Sequence, residues 1–152
     1  MRVTFPVETV DLSMQRLGQS SGNLPVTLNS NMSTDVQAGE YIIQCTARGS
    51  NPAPLVLLIL DDVTIEMSMT TTRAIANGRP IFEAVGQTVV LLRPGRRKVS
   101  CFANLPSHMQ AEPRYADVLT STTLDVTGEH NLGVSIRQTR VVLFAVFIVW
   151  YI

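Results

Sequence analysis

The chain has 152 residues, enough for one domain with a real core and too few for two comfortable ones. Twelve basic and twelve acidic side chains cancel, which excludes the global field that draws a protein onto nucleic acid or anionic lipid and leaves partner choice to local surface. Val, Ile, Leu and Thr are plentiful and helix-favouring runs of Ala, Glu and Lys are few, so the composition leans towards an all-β fold.

Met1 to Leu12 (MRVTFPVETVDL) holds no apolar h-region of useful length. The expectation is a chain that begins inside a longer, exported precursor; a cytosolic protein is the alternative. Val3 to Leu12 alternates loosely between apolar and polar after Pro6, consistent with an edge strand whose proline sits where no ladder donor is needed. Gly18 to Asp35 is rich in Ser, Asn, Gly and Thr and reads as a loop, with one short strand at Pro25 to Leu28. Tyr41, Ile43, Cys45 and Ala47 then share one face of an extended segment, which carries the first cysteine inward.

Gly49 to Pro54 breaks that strand, because Pro52 and Pro54 remove donors and fix φ. Leu55 to Leu60 (LVLLIL) is a continuous apolar run that suits a central strand; Asp61 and Asp62 end it, and Val63, Ile65 and Met67 resume alternation in a further strand. Asn77-Gly78 is a strong turn signal, after which Pro80 to Val85 and Gln87 to Leu92 read as two short strands. Arg93 to Arg97 (RPGRR) is another turn, Val99, Cys101 and Ala103 face one way, and Tyr115 to Val126 has the alternation of a last strand. Short strands at close intervals without an amphipathic helix between them are the pattern of a sandwich or barrel.

A pair of cysteines is a disulfide, two free core thiols or chance. Cys45 and Cys101 stand 56 positions apart on two strands read as pointing inward, which suits a bridge between facing sheets. Closing a loop of that size stabilises by roughly 4 kcal/mol in the chain-entropy model.

Ala38-Gly39-Glu40 precede the first cysteine strand, Cys45 to Pro54 follow the pattern C-x-A-x-G-S-x-P-x-P, and Val99 to Asn104 follow V-x-C-x-A-N. On these residues the stretch from about 36 to 127 resembles an immunoglobulin superfamily domain of the C2-type sets found in nectin-like, nephrin-like and invertebrate adhesion receptors. The resemblance implies an immunoglobulin-like antiparallel β-sandwich with one inter-sheet disulfide, Cys45 to Cys101, and a binding role without a cofactor. Two departures stand out. Leu58 occupies the place where the family buries a tryptophan against the bridge, and Val99 stands two before Cys101, so no tyrosine corner can form.

Nothing in the chain resembles a nucleophile elbow, a phosphate-cradling glycine loop or a base-orienting triad, so no enzyme is expected. His108 and His130 lie in loops without a second histidine or cysteine at ligand spacing, and no third acid follows Asp61-Asp62 at calcium-loop spacing; no metal site is expected. Arg93, Arg96, Arg97 and Lys98 form a basic cluster at a turn, read either as a contact for acidic groups or as a solvated turn. Asn31-Met32-Ser33 satisfies the glycosylation acceptor rule.

The division expected is an N-terminal strand and polar loop over 1–35, an immunoglobulin-like core over 36–127, a polar juxtamembrane spacer over 128–140 and an apolar tail over 141–152. The tail (VVLFAVFIVWYI) follows Arg137 and Arg140 and is shorter than the roughly twenty residues that span a bilayer. It reads as part of a transmembrane helix, as a glycolipid-anchor signal or as a final buried strand, with membrane attachment preferred. The expected role is an extracellular, cell-surface recognition module that binds another protein, itself immunoglobulin-type, in adhesion or receptor signalling, with the loops Ser50 to Pro54 and Asn104 to Arg114 as the segments to watch. The alternatives are a structural spacer in a longer ectodomain and a cytosolic β-domain with Cys45 and Cys101 reduced.

Overall fold

The computed structural model describes residues 4–18, 24–28, 32–105 and 118–128. Ten strands follow in order: β1 (Thr9–Arg16), β2 (Val26–Leu28), β3 (Ser33–Gln37), β4 (Gly39–Ser50), β5 (Leu55–Leu60), β6 (Val63–Ile65), β7 (Ser68–Ala76), β8 (Arg79–Leu92), β9 (Gly95–Asn104) and β10 (Val118–Thr127). They form two five-stranded sheets of order β2-β1-β4-β8-β7 and β3-β10-β9-β5-β6. Every described ladder is antiparallel except β3 on β10, which runs parallel.

The core lies between the sheets and is built by alternation. Tyr41, Ile43, Cys45 and Ala47 of β4 turn inward to meet Val99, Cys101 and Ala103 of β9, with Leu12, Leu58, Leu92 and Leu124 fully buried around them. Cys45 and Cys101 join the two sheets in a disulfide with a Cα–Cα distance of 5.8 Å. Leu58 pairs in register with Cys101 and packs in the same cluster, so an aliphatic side chain stands beside the bridge.

Two tight connections show why the sequence turns where it does. Asn77 and Gly78 have φ of 52° and 72°, and Asp61 and Asp62 have φ of 48° and 67°. Positive φ at both central residues is what a two-residue type I′ hairpin needs, and Asn, Asp and Gly tolerate it best. At Gly49, with φ of 90°, the register between β4 and β8 shifts in a bulge that bends the strand end. Beyond the bulge, Asn51 bridges back to Phe5 by reciprocal backbone hydrogen bonds of 2.8 and 3.1 Å.

Several expected elements differ in detail. The N-terminal strand begins at Thr9 rather than Val3 and lies inside its sheet, because β2 pairs with its outer side along Leu12, Ser13 and Met14. The polar stretch from Gly18 to Asp35 contains the start of β3 as well as β2. The strand expected through Met67 stops at Ile65, and β7, which no periodicity announced, follows it. Instead of two short strands, Arg79 to Leu92 is one, since Gly86 continues the ladder. The last strand is described from Val118 to Thr127, and the expected start at Tyr115 lies outside the described residues.

Candidate functional site

An immunoglobulin-like sandwich, with the A-B-E-D order in β1-β4-β8-β7, the C-F-G order in β5-β9-β10 and the bridge between the B and F strands, offers contact either through its strand-end loops or through its solvent-facing sheet surfaces. The second kind of surface is the better defined here.

Strand β5 is apolar on both faces, but only one is covered. Val56 and Leu58 are buried, whereas Leu55 and Leu57 are 55% and 43% exposed. Register then places their neighbours. Leu57 lies opposite Phe102 on β9, and Phe102 lies opposite Leu119 on β10, which is 57% exposed. The three side chains form an apolar row across the outer surface of the sheet, because residues opposed on adjacent strands share a face.

The neighbouring rows frame it. Ile59, Ser100 and Ser121 come next on one side, with the two serine hydroxyls 3.0 Å apart, and Leu55 with Asn104 on the other. Further down the strands the surface becomes charged: Lys98 stands opposite Thr123, and Arg96 reaches Asp125 at 3.8 Å. Asp125 also accepts a hydrogen bond from the Ser33 hydroxyl. An apolar centre with a polar rim is the anatomy of a protein contact surface.

The basic cluster is less basic than its sequence suggests. Arg97 binds Asp61 at 2.9 Å and donates to the carbonyls of Arg93 and Pro94, while Arg96 faces Asp125. Asp61 is tied further, accepting the Lys98 N–H at 2.9 Å while its own N–H donates to the Lys98 carbonyl. The Lys98 N–H and then the Arg97 guanidinium hold its carboxyl below the ordinary carboxylate range, against the opposing effect of burial. Asp61-Asp62 is thus a hairpin turn locked to β9, and among the described residues no group of three or more His, Cys, Asp or Glu could hold a metal ion.

On the opposite sheet Arg48 bridges Asp11 at 2.5 Å and Glu83 at 2.6 Å, and the hydrogen bond to Glu83 holds its guanidinium more firmly protonated. This triad joins β1, β4 and β8 on the solvent side and is structural in its geometry.

Of the residues singled out from the sequence, Cys45, Cys101 and Leu58 meet in the core. Asn31, His108, His130, the segment 129–140 and the tail 141–152 lie outside the described residues, as does most of the loop from Asn104 to Arg114. Among the described residues no helix is long and apolar enough to cross a membrane. Sequence reasoning missed Leu55, Leu57, Phe102 and Leu119 as surface residues. The available signal was parity: Phe102 adjoins an inward cysteine and Leu57 an inward leucine, so each must point away from the core.

No protein-family model and no curated protein matches the chain. Among solved structures it is similar to the full ectodomain (Ig1–Ig3) of mouse nectin-like molecule 4, with 20% identity and a TM-score of 0.43 over 62% of this chain. It spans 31% of that ectodomain. It is also similar to titin M4 in its trigonal form, with 15% identity and a TM-score of 0.28 over 78% of this chain and 100% of that one. Likenesses of this extent add no argument to the fold, which rests on strand order and the position of the bridge.

Proposed function

We propose that this chain carries a non-catalytic recognition module that binds another protein through the outer face of β5, β9 and β10. The observation that carries the proposal is the Leu57–Phe102–Leu119 row, in which register aligns apolar side chains of three adjacent strands on one solvent-facing surface. Exposed apolar area of this kind is costly to keep in water and usually marks a contact site. The connection from Ser50 to Pro54 extends it, since Leu55 follows it directly.

The setting we assign is the cell surface. A disulfide between two buried strands suits an oxidising compartment, and the apolar run 141–152 supports membrane attachment. The partner we favour is a second immunoglobulin-type surface protein, in adhesion or receptor signalling, because a flat sheet face of mixed polarity complements another sheet face.

The test is binding of the full chain, produced in eukaryotic cells behind a secretion signal, to a panel of immunoglobulin-type ectodomains. Binding to at least one member is expected, and Leu57→Asp with Leu119→Asp is expected to weaken it more than tenfold while leaving the cysteines alkylatable only after reduction. Binding that survives both substitutions would move the site off this face. Thiols that label in the folded chain without reduction would remove the extracellular reading.

A further inference from the structure

Among the described residues, the four sheet edges of this sandwich are not alike. Strands β2 and β6 have three residues each and β3 has five, whereas β7 has nine, all of them exposed. A short edge offers little for another strand to pair with, and a long one is normally blunted by lysine, proline, a bulge or a covering element. Strand β7 has no Pro and a single charged residue, Arg73, and its ladder with β8 runs from Ser68–Gln87 to Ala76–Arg79 without a shift in register. The opposite sheet ends on this side in the short β6, which leaves Met69 45% and Ile75 74% exposed.

We infer that β7 is the seam of a two-fold dimer, in which two copies of this chain pair antiparallel about Thr72 and join two five-stranded sheets into one. The sequence of the strand (SMTTTRAIA) selects that register. With the dyad at Thr72, Met69 of each copy meets Ile75 of the other, Thr70 meets Ala74, Ser68 meets Ala76, and Arg73 meets Thr71. Both exposed apolar side chains gain an apolar partner, and the two arginines are diagonal rather than opposed.

Neighbouring registers are worse. Opposed residues must lie on the same face, so the dyad moves only from residue to residue. At Thr71 it sets Met69 against Arg73 and carries Ile75 beyond the ladder. At Arg73 it places two guanidinium groups directly opposite each other, where like charges are destabilising. The seam lies on the other sheet from the proposed partner-binding face, so the two surfaces can be occupied together.

The experiment is cross-linking of the full chain through a single introduced thiol. Thr72→Cys is expected to give a covalent dimer on mild oxidation, joined at position 72 by peptide mapping, with the Cys45–Cys101 bridge intact. Thr70→Cys, which would face Ala74, is expected to give at least tenfold less. Adding Ile75→Asp to Thr72→Cys is expected to cut the dimer at least tenfold, and since Ile75 is exposed its fold is unaffected. A chain that stays monomeric with Thr72→Cys, equal yields at the two positions, or a yield indifferent to Ile75→Asp would each overturn the inference and assign the edge to another partner or to none.

Discussion

Gly86 stands across the β4–β8 ladder from Cys45, and the place its Cβ would take lies 2.6 Å from Met67 Cε and 2.9 Å from Met69 Sδ. Two methionines that the sequence places outside the strand pair therefore occupy the space that a side chain on β8 would fill. The glycine is explained by this packing, since its φ is ordinary for a strand.

Gly86→Ala should consequently cost stability despite the better strand propensity of alanine. The colliding atoms are the far ends of flexible side chains, so they move aside at moderate expense, about 1 kcal/mol. Urea unfolding of Gly86→Ala, Met67→Ala and the double variant should show a positive coupling between the two sites. A stabilising Gly86→Ala would show that the space is not filled as described.

Gly49→Ala should be worse, because two costs coincide. Its φ of 90° is foreign to alanine, and the new Cβ would fall 2.8 Å from Glu8 Cβ, an atom close to the backbone, as well as 2.6 Å from Glu8 Cγ. The expected loss is about 2–3 kcal/mol, read from the urea midpoint. Glu8→Ala should recover only the part due to Glu8 Cγ and beyond.

Leu58→Ala empties a fully buried site beside the bridge, and the expected loss is about 2–5 kcal/mol. Replacing both Cys45 and Cys101 by alanine should cost about 4 kcal/mol through the unfolded chain. Thermal unfolding of the two variants and of the reduced native chain separates the two effects: reduction of the native chain should reproduce the double cysteine variant, whereas Leu58→Ala should remain destabilised with the bridge intact.

Asp61 predicts a pH dependence. Its carboxyl is held below its ordinary 3.8 in the folded chain. The stability it supplies is therefore fully present above that value and is lost as pH falls through the lower, folded one. Asp61→Asn should flatten the acid limb of the stability curve below about pH 4, and at pH 7 it should cost under about 1 kcal/mol because the Arg97 pair is partly solvated. Identical acid limbs for the two proteins would assign the lowered carboxyl elsewhere.

The core was legible in the sequence wherever one face of a strand is buried. Tyr41 to Ala47 and Val99 to Ala103 alternate, and the structure turns the same side chains inward. Turns were legible where backbone geometry demands particular residues, as at Asn77-Gly78. Strand β7 was not, because all its residues are exposed and no burial pattern is imposed on them. Continuity through Gly86 was hidden for the opposite reason: a glycine in a strand reads as a break unless the methionines that replace its side chain are known to be there.

What the amino-acid order determined alone is therefore the set of inward positions, the cysteines on facing strands and the tight turns, all of which depend on short-range periodicity or on one residue's φ. Which apolar residues remain in water was decided only by tertiary structure. Leu57, Phe102 and Leu119 are distant in sequence and become one surface through the register of three strands, and β7 becomes an edge because, among the described residues, no other strand lies beyond it. Register and edge position depend on long-range pairing, which no local pattern encodes.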